Sequence, residues 1–253
     1  MPESPSPIPG YESARVLRRL GSGPVSDSWL LGHEGGELVL RRDRPCAARI
    51  GLDREREFRV LQVAHGAGVG PEPLRVDVAE GLLLTRFFPG GAWQDREASG
   101  DPETWAGMGA LLRTVHALAP RSVSRFDPGR VFHDYARAAG NSESVALARE
   151  LTIIAQDLYC DAPWVLCHHD AHLGNVVGAP GVLIDWEYAA LGHPLFDLAG
   201  TIEHHGLAGD AFEAFVTGWA GETPPVPLDP LDEFRALVAG VNELWSRAVK
   251  ACC

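Results

Sequence analysis

The sequence predicts an α+β protein with two lobes: a small antiparallel β-sheet lobe that carries one helix, and a larger, mainly helical lobe. Hairpin signals fill the first 88 residues, helical spacing of apolar residues dominates the remainder, and a Pro89-Gly90-Gly91 breaker separates the two parts. We therefore expect a lead-in over residues 1–10, an N-terminal lobe over 11–88 and a C-terminal lobe over 89–253.

The N-terminal lobe is expected to hold two hairpins around a helix. The short apolar runs Trp29–Leu31 and Leu38–Leu40 flank a Gly-containing turn, which is typical of a hairpin. The stretch "LDREREFRVLQVAHGAG" spaces its apolar residues like a helix that "GAGVGPEP" ends. The stretch "LRVDVAEGLLLTRFFPGG" then predicts the second hairpin.

The C-terminal lobe is expected to begin with a helix for which Asp101 is the N-cap and Pro102 the first residue. The stretch "SESVALARELTIIAQDL" predicts a second helix, and two more are expected near residues 210–219 and 230–250. Short β-type runs lie between these helix pairs, at Trp164–Cys167, Asn175–Val177 and Val182–Ile184.

The composition argues against several classes of function. The formal net charge is −12 and the pI about 5.2, so the basic face of a nucleic-acid binder is not expected. No apolar run approaches the roughly 18 residues of a membrane span. The Pro/Ser-rich "MPESPSPIPG" predicts a disordered lead-in and not a signal peptide, and five cysteines without zinc-type pairs indicate reduced thiols. We expect a cytoplasmic protein with neither nucleic acid nor membrane as a partner; the sequence leaves the oligomeric state open.

The stretch "HHDAHLGN" carries the chemistry together with an aspartate downstream. Asn175 follows Asp170 by five residues, and Asp185 comes ten residues later, directly after the apolar run Val182–Ile184. Phosphoryl transfer needs an oriented hydroxyl and divalent ions that neutralise phosphate charge. Asn175 and Asp185 offer the hard oxygen ligands that Mg²⁺ takes, and Asp170 can orient the attacking hydroxyl. The spacing therefore predicts Asp170 as the catalytic residue and Asn175 and Asp185 as metal ligands.

The same residues resemble a known family. "CHHDAHLGNVV" and "VLIDWEYAALGHPLFDLA" are similar to the aminoglycoside phosphotransferase / choline kinase superfamily, whose pattern is H-x-D-x-x-x-x-N, then an apolar strand ending I-D-W/F/Y-E, then a D-L-A helix start. The stretches "LGSGPVSDSWLL", "LVLRR" and "LLRTVHAL" extend the resemblance less specifically. It implies a protein-kinase-like fold, ATP and Mg²⁺ as cofactors, and His168 as an anchor for the loop.

The histidines also permit a zinc interpretation, because His168 and His172 stand four residues apart beside His169 and Asp170. The H-E-x-x-H signature is absent, and zinc would leave Asn175 and Asp185 unexplained. His169 and His172 are interpreted as loop residues near the mouth of the substrate site. Asp197 is expected to cap a helix and to brace the catalytic loop.

The nucleotide is expected to bind the N-terminal lobe. Gly21 and Gly23 follow an apolar strand and could bring backbone N–H groups close to phosphates, although a plain hairpin turn would look the same. The lobe has no lysine, so Arg41 is assigned to the phosphates, with Arg42 left open as the alternative. Glu57 is its expected partner and Glu55 the runner-up. By resemblance, the hinge beside the adenine comprises residues 85–88, including Thr85 and Phe87.

The acceptor is expected to be a small cationic molecule with a hydroxyl group, such as choline, ethanolamine or thiamine. Arg41 and the "DWEYA" string resemble the amino-alcohol branch of the superfamily, and a cation is recognised by carboxylates and aromatic faces. The expected contacts are Trp186, Glu187, Tyr188, Glu203 and Trp245, with Trp219 and Glu243 as further candidates.

Two alternatives stay open. One is an aminoglycoside O-phosphotransferase, because aminoglycosides are also cationic. The other is a non-catalytic nucleotide-binding relative, which the missing lysine and Asp27, where relatives often have Asn, would favour. A protein kinase is disfavoured, because the Asp185 motif is D-W-E and Asp197 follows too soon for an activation loop.

Overall fold

The computed structural model describes residues 8–97 and 101–252. Its N-terminal part is a five-stranded sheet in the order β1-β2-β3-β5-β4, with every neighbouring pair antiparallel, which confirms the predicted small antiparallel sheet. The strands are β1 (Arg15–Ser22), β2 (Ser26–His33), β3 (Gly36–Asp43), β4 (Pro73–Asp77) and β5 (Leu82–Arg86).

One face of this sheet packs into a small apolar cluster. On β3, Leu38 and Leu40 are fully buried in a small cluster with Trp29 and Leu84, as the period-two alternation of a strand requires. Ile8 packs into the same cluster and is 5% exposed. The expected disordered lead-in is therefore ordered from residue 8 onward, and residues 1–7 lie outside the described part of the chain.

Two helices join β3 to β4: α1 (Pro45–Arg49) and α2 (Arg54–Gly66). Asp53 is the N-cap of α2, and its carboxylate accepts hydrogen bonds from the backbone N–H groups of Glu55 and Arg56. Residues 57, 60, 61 and 64 are buried, which is the spacing of one helical face. Glu57 therefore points inward with the apolar residues, toward β3.

The C-terminal part is mainly helical, as predicted. Gly109 on the first long helix meets the backbone of Phe215, and Gly218 meets that of Ala106, so a Cβ at either glycine would overlap main-chain atoms. This close approach fixes the helix Pro102–His116 (α4) against the helix Gly209–Ala220 (α8). The helices are α3 (Gln94–Glu97), α4 (Pro102–His116), α5 (Pro128–Ala139), α6 (Ser142–Leu158), α7 (Pro194–His205), α8 (Gly209–Ala220) and α9 (Leu231–Cys252).

The predictions omitted α5, although its signals were present. Asp127 caps its start, Pro128 occupies its first position, and Gly140 ends it in the left-handed conformation. The same Asp-Pro start at Asp101 and Pro102 had been assigned correctly to α4. α5 contributes Tyr135 to the site described below.

Two short ladders lie at the centre of this part, β6 (Val165–Cys167) with β9 (Ala190–Gly192), and β7 (Val176–Val177) with β8 (Val182–Leu183). The chain passes from the N-terminal sheet to these ladders through Gly90. Gly90 lies so close to Gly178 that a Cβ atom at Gly90 would overlap the Gly178 backbone. The boundary between residues 88 and 89 stays a prediction. Within residues 8–97 and 101–252, no helix is both long and apolar enough to cross a membrane.

Candidate active site

Asp170 and Asn175 face each other across the loop that follows β6. The Asn175 side-chain amide donates to the carboxylate of Asp170 over 3.1 Å and to its main-chain oxygen over 2.9 Å. Both bonds use Nδ2, so Oδ1 of Asn175 keeps its lone pairs for another ligand. The Asp170 side chain is 40% exposed and lines a cavity of about 430 Å³. The loop thus presents one carboxylate to a cavity and one amide oxygen beside it.

The β7–β8 hairpin brings Asp185 next to this pair. Val176 is paired with Leu183, and the Ile184 N–H donates to the Asn175 carbonyl over 2.8 Å, so Asn175 and Asp185 lie at the same end of the hairpin. Asp185 has a φ of 68°, a left-handed conformation that a non-glycine residue rarely adopts outside functional sites. The predicted metal ligands are therefore neighbours, brought together by a two-strand ladder.

Asp197 holds the backbone of the loop that precedes Asp170. Its two carboxylate oxygens accept the backbone N–H groups of His168 and His169, each over 2.7 Å, and Nε2 of His116 lies 3.0 Å away. Burial by itself raises the pKa of Asp197, but the hydrogen bond from His116 and the charges of the neighbouring histidines together outweigh burial, and the pKa falls to about 2. The expected cap role is corrected: His193 is the N-cap of α7, because its ring nitrogen accepts the Leu195 N–H, and Asp197 lies one turn inside the helix.

His168 is fully buried. Its ring lies 4.7 Å from that of Trp186, and its Nε2 is 3.0 Å from the Ile184 carbonyl. These contacts join the residue before the loop to the residue before Asp185. They agree with the anchoring role that the family resemblance implied, which stays a prediction.

His169 and His172 have different surroundings. His169 stacks on Phe126 at 4.8 Å, and both of its ring nitrogens are buried with no hydrogen-bond partner among the described residues. His172 caps the following turn, since its Nδ1 accepts the Gly174 N–H over 3.1 Å, and it stacks on His204 at 4.3 Å. The ring nitrogens of His172, His204 and His205 lie close enough together to ligate one metal ion.

Arg41 lies at the centre of a buried charge cluster. Its guanidinium contacts Glu57 at 3.1 Å, Asp185 at 2.5 Å and Glu187 at 2.7 Å, and it donates to the Ser26 hydroxyl. Arg42, the alternative for the phosphate role, is exposed on the other face and lies 3.7 Å from Glu80. Glu55, the runner-up partner, pairs with Arg59 on the surface of α2. The strand periodicity thus selects Arg41 and the helix periodicity selects Glu57.

The same cluster carries an excess of negative charge. Arg54 is also buried in it and contacts Glu57, Asp43 and Glu187, so two guanidiniums face the four carboxylates of residues 43, 57, 185 and 187. Burial raises the pKa of Glu187 to about 8, and the Asp185 carboxylate adds to the rise. Burial also raises the pKa of Asp170 to about 8, again with Asp185 contributing. A divalent cation bound by Asp185 and Asn175 fits this donor set, because it supplies the missing positive charge through oxygen ligands.

The expected nucleotide contacts lie around the edge of the N-terminal sheet. Gly21 is at a β-bulge of β1, with open space where its Cβ would be, and the Gly23 N–H closes the β1–β2 turn by donating to the Ser26 carbonyl. Thr85 is buried on β5, and the Phe87 N–H donates to the Glu37 carbonyl, so that amide is engaged within the sheet. Their assignment to the nucleotide stays a prediction.

The expected acceptor contacts separate into two groups. Tyr188 and Trp245 line the Asp170 cavity, and the indole N–H of Trp245 donates to the Tyr188 hydroxyl over 2.9 Å. The others do not line it. Trp186 is fully buried and Glu187 is paired with Arg41, while Glu203 pairs with Arg235. The structure thus gives Trp186 no exposed face for a substrate and assigns Glu187 to the charge cluster. The further candidates Trp219 and Glu243 are likewise engaged elsewhere, the first fully buried and the second paired with Arg247.

The comparisons with known proteins identify the family. A model of the phosphotransferase enzyme family matches residues 16–228, which is most of the chain. The chain belongs to this family. None of the curated protein sequences is a significant match.

Solved structures of kinases and of an antibiotic phosphotransferase share the fold of this chain at low sequence identity. The choline kinase LicA from Streptococcus pneumoniae is 16% identical over 92% of this chain and 86% of its own, with a TM-score of 0.75. A choline/ethanolamine kinase family protein from Mesorhizobium loti is 22% identical over 96% and 93%, with a TM-score of 0.64. A spectinomycin phosphotransferase, solved with ADP and spectinomycin, is 15% identical over 93% and 81%, with a TM-score of 0.60. They confirm the two-lobed kinase-like fold.

Sequence reasoning missed several residues of this phosphotransferase site. Tyr135 lines the Asp170 cavity from α5, the helix that was not predicted. Arg54 was not assigned, yet it contacts Glu57 and Glu187 in the buried charge cluster. Its spacing of three residues from Glu57 on α2 was the one available signal, since residues three apart share a helical face.

Proposed function

We propose that this phosphotransferase transfers the γ-phosphoryl group of ATP, with Mg²⁺, to a hydroxyl group of a small molecule with one positive charge, such as an amino alcohol. One observation carries this proposal: the Asp170 carboxylate lines the 430 Å³ cavity on one side and is hydrogen-bonded to Asn175 on the other. A hydroxyl in the cavity would meet Asp170, and a nucleotide at Arg41 would meet Asn175 and Asp185.

The chemistry follows from the residues at this junction. Asp170, once ionised, would accept a hydrogen bond from the acceptor hydroxyl and so orient its oxygen toward the phosphorus, and its raised pKa makes it a stronger base for that proton. Asn175 and Asp185 would hold Mg²⁺, which when bound neutralises charge on the phosphates. Arg41 would exchange part of its contact with Asp185 for a phosphate oxygen, which a guanidinium binds well.

The lining of the cavity favours a small monocation as the acceptor. Tyr135, Tyr188 and Trp245 supply aromatic faces, which attract a cation within about 6 Å. Among the described residues that line the cavity, Asp170 is the only carboxylate. An aminoglycoside with several ammonium groups would need more than one, so this lining supports the amino alcohol over the aminoglycoside.

The test is ADP release from Mg²⁺-ATP with a panel of amino alcohols and a panel of aminoglycosides. Turnover with an amino alcohol supports the proposal, and turnover with aminoglycosides alone would replace it with the alternative acceptor. ATP binding without turnover on either panel would identify a non-catalytic relative.

Two substitutions test the assigned roles. Asp170→Ala is expected to lower turnover about 10²–10⁴-fold, the usual range for a positioned base. Asp185→Ala is expected to abolish the Mg²⁺-dependent turnover. Asp157→Ala is the matched control, because Asp157 is exposed on α6 and its side chain forms no hydrogen bond or ion pair with the described residues. Near-full activity of Asp170→Ala would remove Asp170 from the reaction.

A further inference from the structure

A second cavity lies behind the wall of the Asp170 cavity. Its volume is about 280 Å³, and it shares Tyr135, His169 and Tyr188 with the first cavity. Four arginines and two aspartates line it, which gives a local charge of opposite sign to the net −12 of the chain. The arginines are Arg56, Arg59, Arg125 and Arg130, and the aspartates are Asp53 and Asp127.

The two aspartates are already occupied by helix capping. One carboxylate oxygen of Asp53 accepts two backbone N–H groups at the start of α2, and one of Asp127 accepts the Arg130 N–H at the start of α5. Both helices therefore direct their N-terminal ends, the positive ends of their dipoles, at this cavity. The cavity thus combines two helix termini with arginine side chains.

Two of the arginines lack a carboxylate partner. The Nε of Arg56 is buried and has no hydrogen-bond partner in residues 8–97 and 101–252, and a terminal nitrogen of Arg56 donates to the Glu187 carbonyl over 2.9 Å. The Arg130 side chain makes no ion pair or hydrogen bond with the described residues. Burial lowers the pKa of Arg56 most, the Asp53 carboxylate raises it, and Arg130 lowers it. Both guanidiniums line one cavity and neither forms an ion pair with a carboxylate of the described residues, which indicates a place for an anion.

The other polar groups at the cavity are consistent with this. His169 contributes two buried ring nitrogens that form no hydrogen bond within the described part of the chain. Arg125 lies over the Trp164 ring, 4.4 Å from its centroid, and Arg59 is partly neutralised by Glu55. Arg56 and Arg130 are therefore the residues with donors to spare.

We propose that this cavity binds an oxyanion, a phosphate or carboxylate group, through Arg56 and Arg130. The anion is either a group on the acceptor molecule itself, reached through the shared wall, or a separate small anion. Because Arg56 lies on α2 beside Glu57 and His169 precedes Asp170, a bound anion would join the helix of the charge cluster to the catalytic loop.

Titration of the whole protein with inorganic phosphate, followed by calorimetry in the presence of saturating ADP and Mg²⁺, tests the site without requiring turnover. Arg130→Gln and Arg56→Gln are each expected to weaken phosphate binding about tenfold or more, as the loss of a charge-assisted hydrogen bond does. Arg130→Lys should retain part of the affinity. Arg149→Gln, an equal charge change on the exposed surface of α6, should leave it unchanged.

Three results would overturn the proposal: no phosphate binding by the unaltered protein, binding that survives the Arg56→Gln/Arg130→Gln double substitution, or an equal loss in Arg149→Gln. Since Arg130 is exposed, its substitution does not threaten folding. These results do not depend on the proposed phosphotransfer, so failure of one does not imply failure of the other.

A kinetic comparison then distinguishes the two sources of the anion, and this step does rest on the proposed function. Serine is ethanolamine with an added carboxylate, so the two form a matched pair of acceptors. If the anion belongs to the acceptor, the KM for serine is lower than the KM for ethanolamine, and Arg130→Gln removes this difference. Inorganic phosphate then competes with serine. If the anion is separate, phosphate changes kcat and leaves the acceptor KM unaltered.

Discussion

Replacing Asp197 with asparagine probes how the catalytic loop is held. The carboxylate accepts two backbone N–H groups at 2.7 Å, and His116 lies at 3.0 Å from the same oxygen that accepts the His168 N–H. Nδ1 of His116 accepts the Trp219 indole N–H over 2.9 Å, and since an indole can only donate, Nε2 carries the proton and donates to Asp197. Three donors therefore meet the two oxygens, and an asparagine NH₂ in either position would face at least one of them.

The magnitude follows from two contributions. The shift of the Asp197 pKa from 3.8 to about 2 corresponds to about 2 kcal/mol at about 1.4 kcal/mol per pKa unit. A buried donor left without an acceptor costs a further 1–3 kcal/mol or so. Asp197→Asn should therefore lower the free energy of unfolding by about 3–5 kcal/mol at pH 7 and the Tm by on the order of 10 °C.

The pH dependence separates the charge from the geometry. A carboxylate with a lowered pKa stabilises the folded state above its unfolded pKa of 3.8, and that stabilisation is lost as the pH falls toward 2. The deficit of the variant, measured by urea unfolding, should therefore shrink by about 1 kcal/mol between pH 6 and pH 3. Asp157→Asn, on the exposed surface of α6, is the control. A deficit below 1 kcal/mol, or one independent of pH, would refute the assignment of Asp197 as the ionised brace of the loop.

Three further substitutions test the charge cluster, the catalytic carboxylate and the helix packing. Arg41→Lys keeps the positive charge, but a lysine cannot contact the carboxylates of Glu57, Asp185 and Glu187 together, so kcat/KM for ATP should fall about tenfold or more. Arg42→Lys, on the opposite and more exposed face of β3, is the control and should leave kcat/KM unchanged. Because the pKa of Asp170 is raised to about 8, ionisation of Asp170 destabilises the folded protein as the pH rises from about 4 through 8. With chelator present, the Tm of Asp170→Asn relative to the unaltered protein should therefore increase over that pH range. Equal Tm differences at pH 4 and pH 9 would contradict this. Gly109→Ala should destabilise by about 2–3 kcal/mol in urea unfolding, because the methyl group overlaps the backbone of α8, while Gly66→Ala in the open last turn of α2 should be neutral or better.

The sequence identified the parts of the site that depend on short-range geometry. Asp170, Asn175 and Asp185 lie within sixteen consecutive residues, where one loop and a two-strand ladder determine their neighbourhood. The strand period placed Arg41 on the inner face of β3, and the helix period placed Glu57 on the inner face of α2. The overall α+β order followed from the same periodicities.

The sequence could not show how side chains are shared between distant elements. Trp186 and Glu187 were expected at a substrate, because a cation is recognised by aromatic faces and carboxylates. The packing instead seals Trp186 against His168 and turns Glu187 toward Arg41, 146 positions earlier in the chain. α5 was missed altogether, and with it the tyrosine that two cavities share.

The sequence by itself predicted the family and placed Asp170, Asn175 and Asp185 as neighbours, because each depends on residues a few positions apart whose relative placement follows from backbone geometry. Only the tertiary structure decided which carboxylates enter the buried cluster and that Arg56 and Arg130 meet at one cavity. Those contacts depend on how the tertiary structure places α2 and α5 around one cavity beside the Asp170 loop, and that placement is governed by buried shape and charge across the described chain.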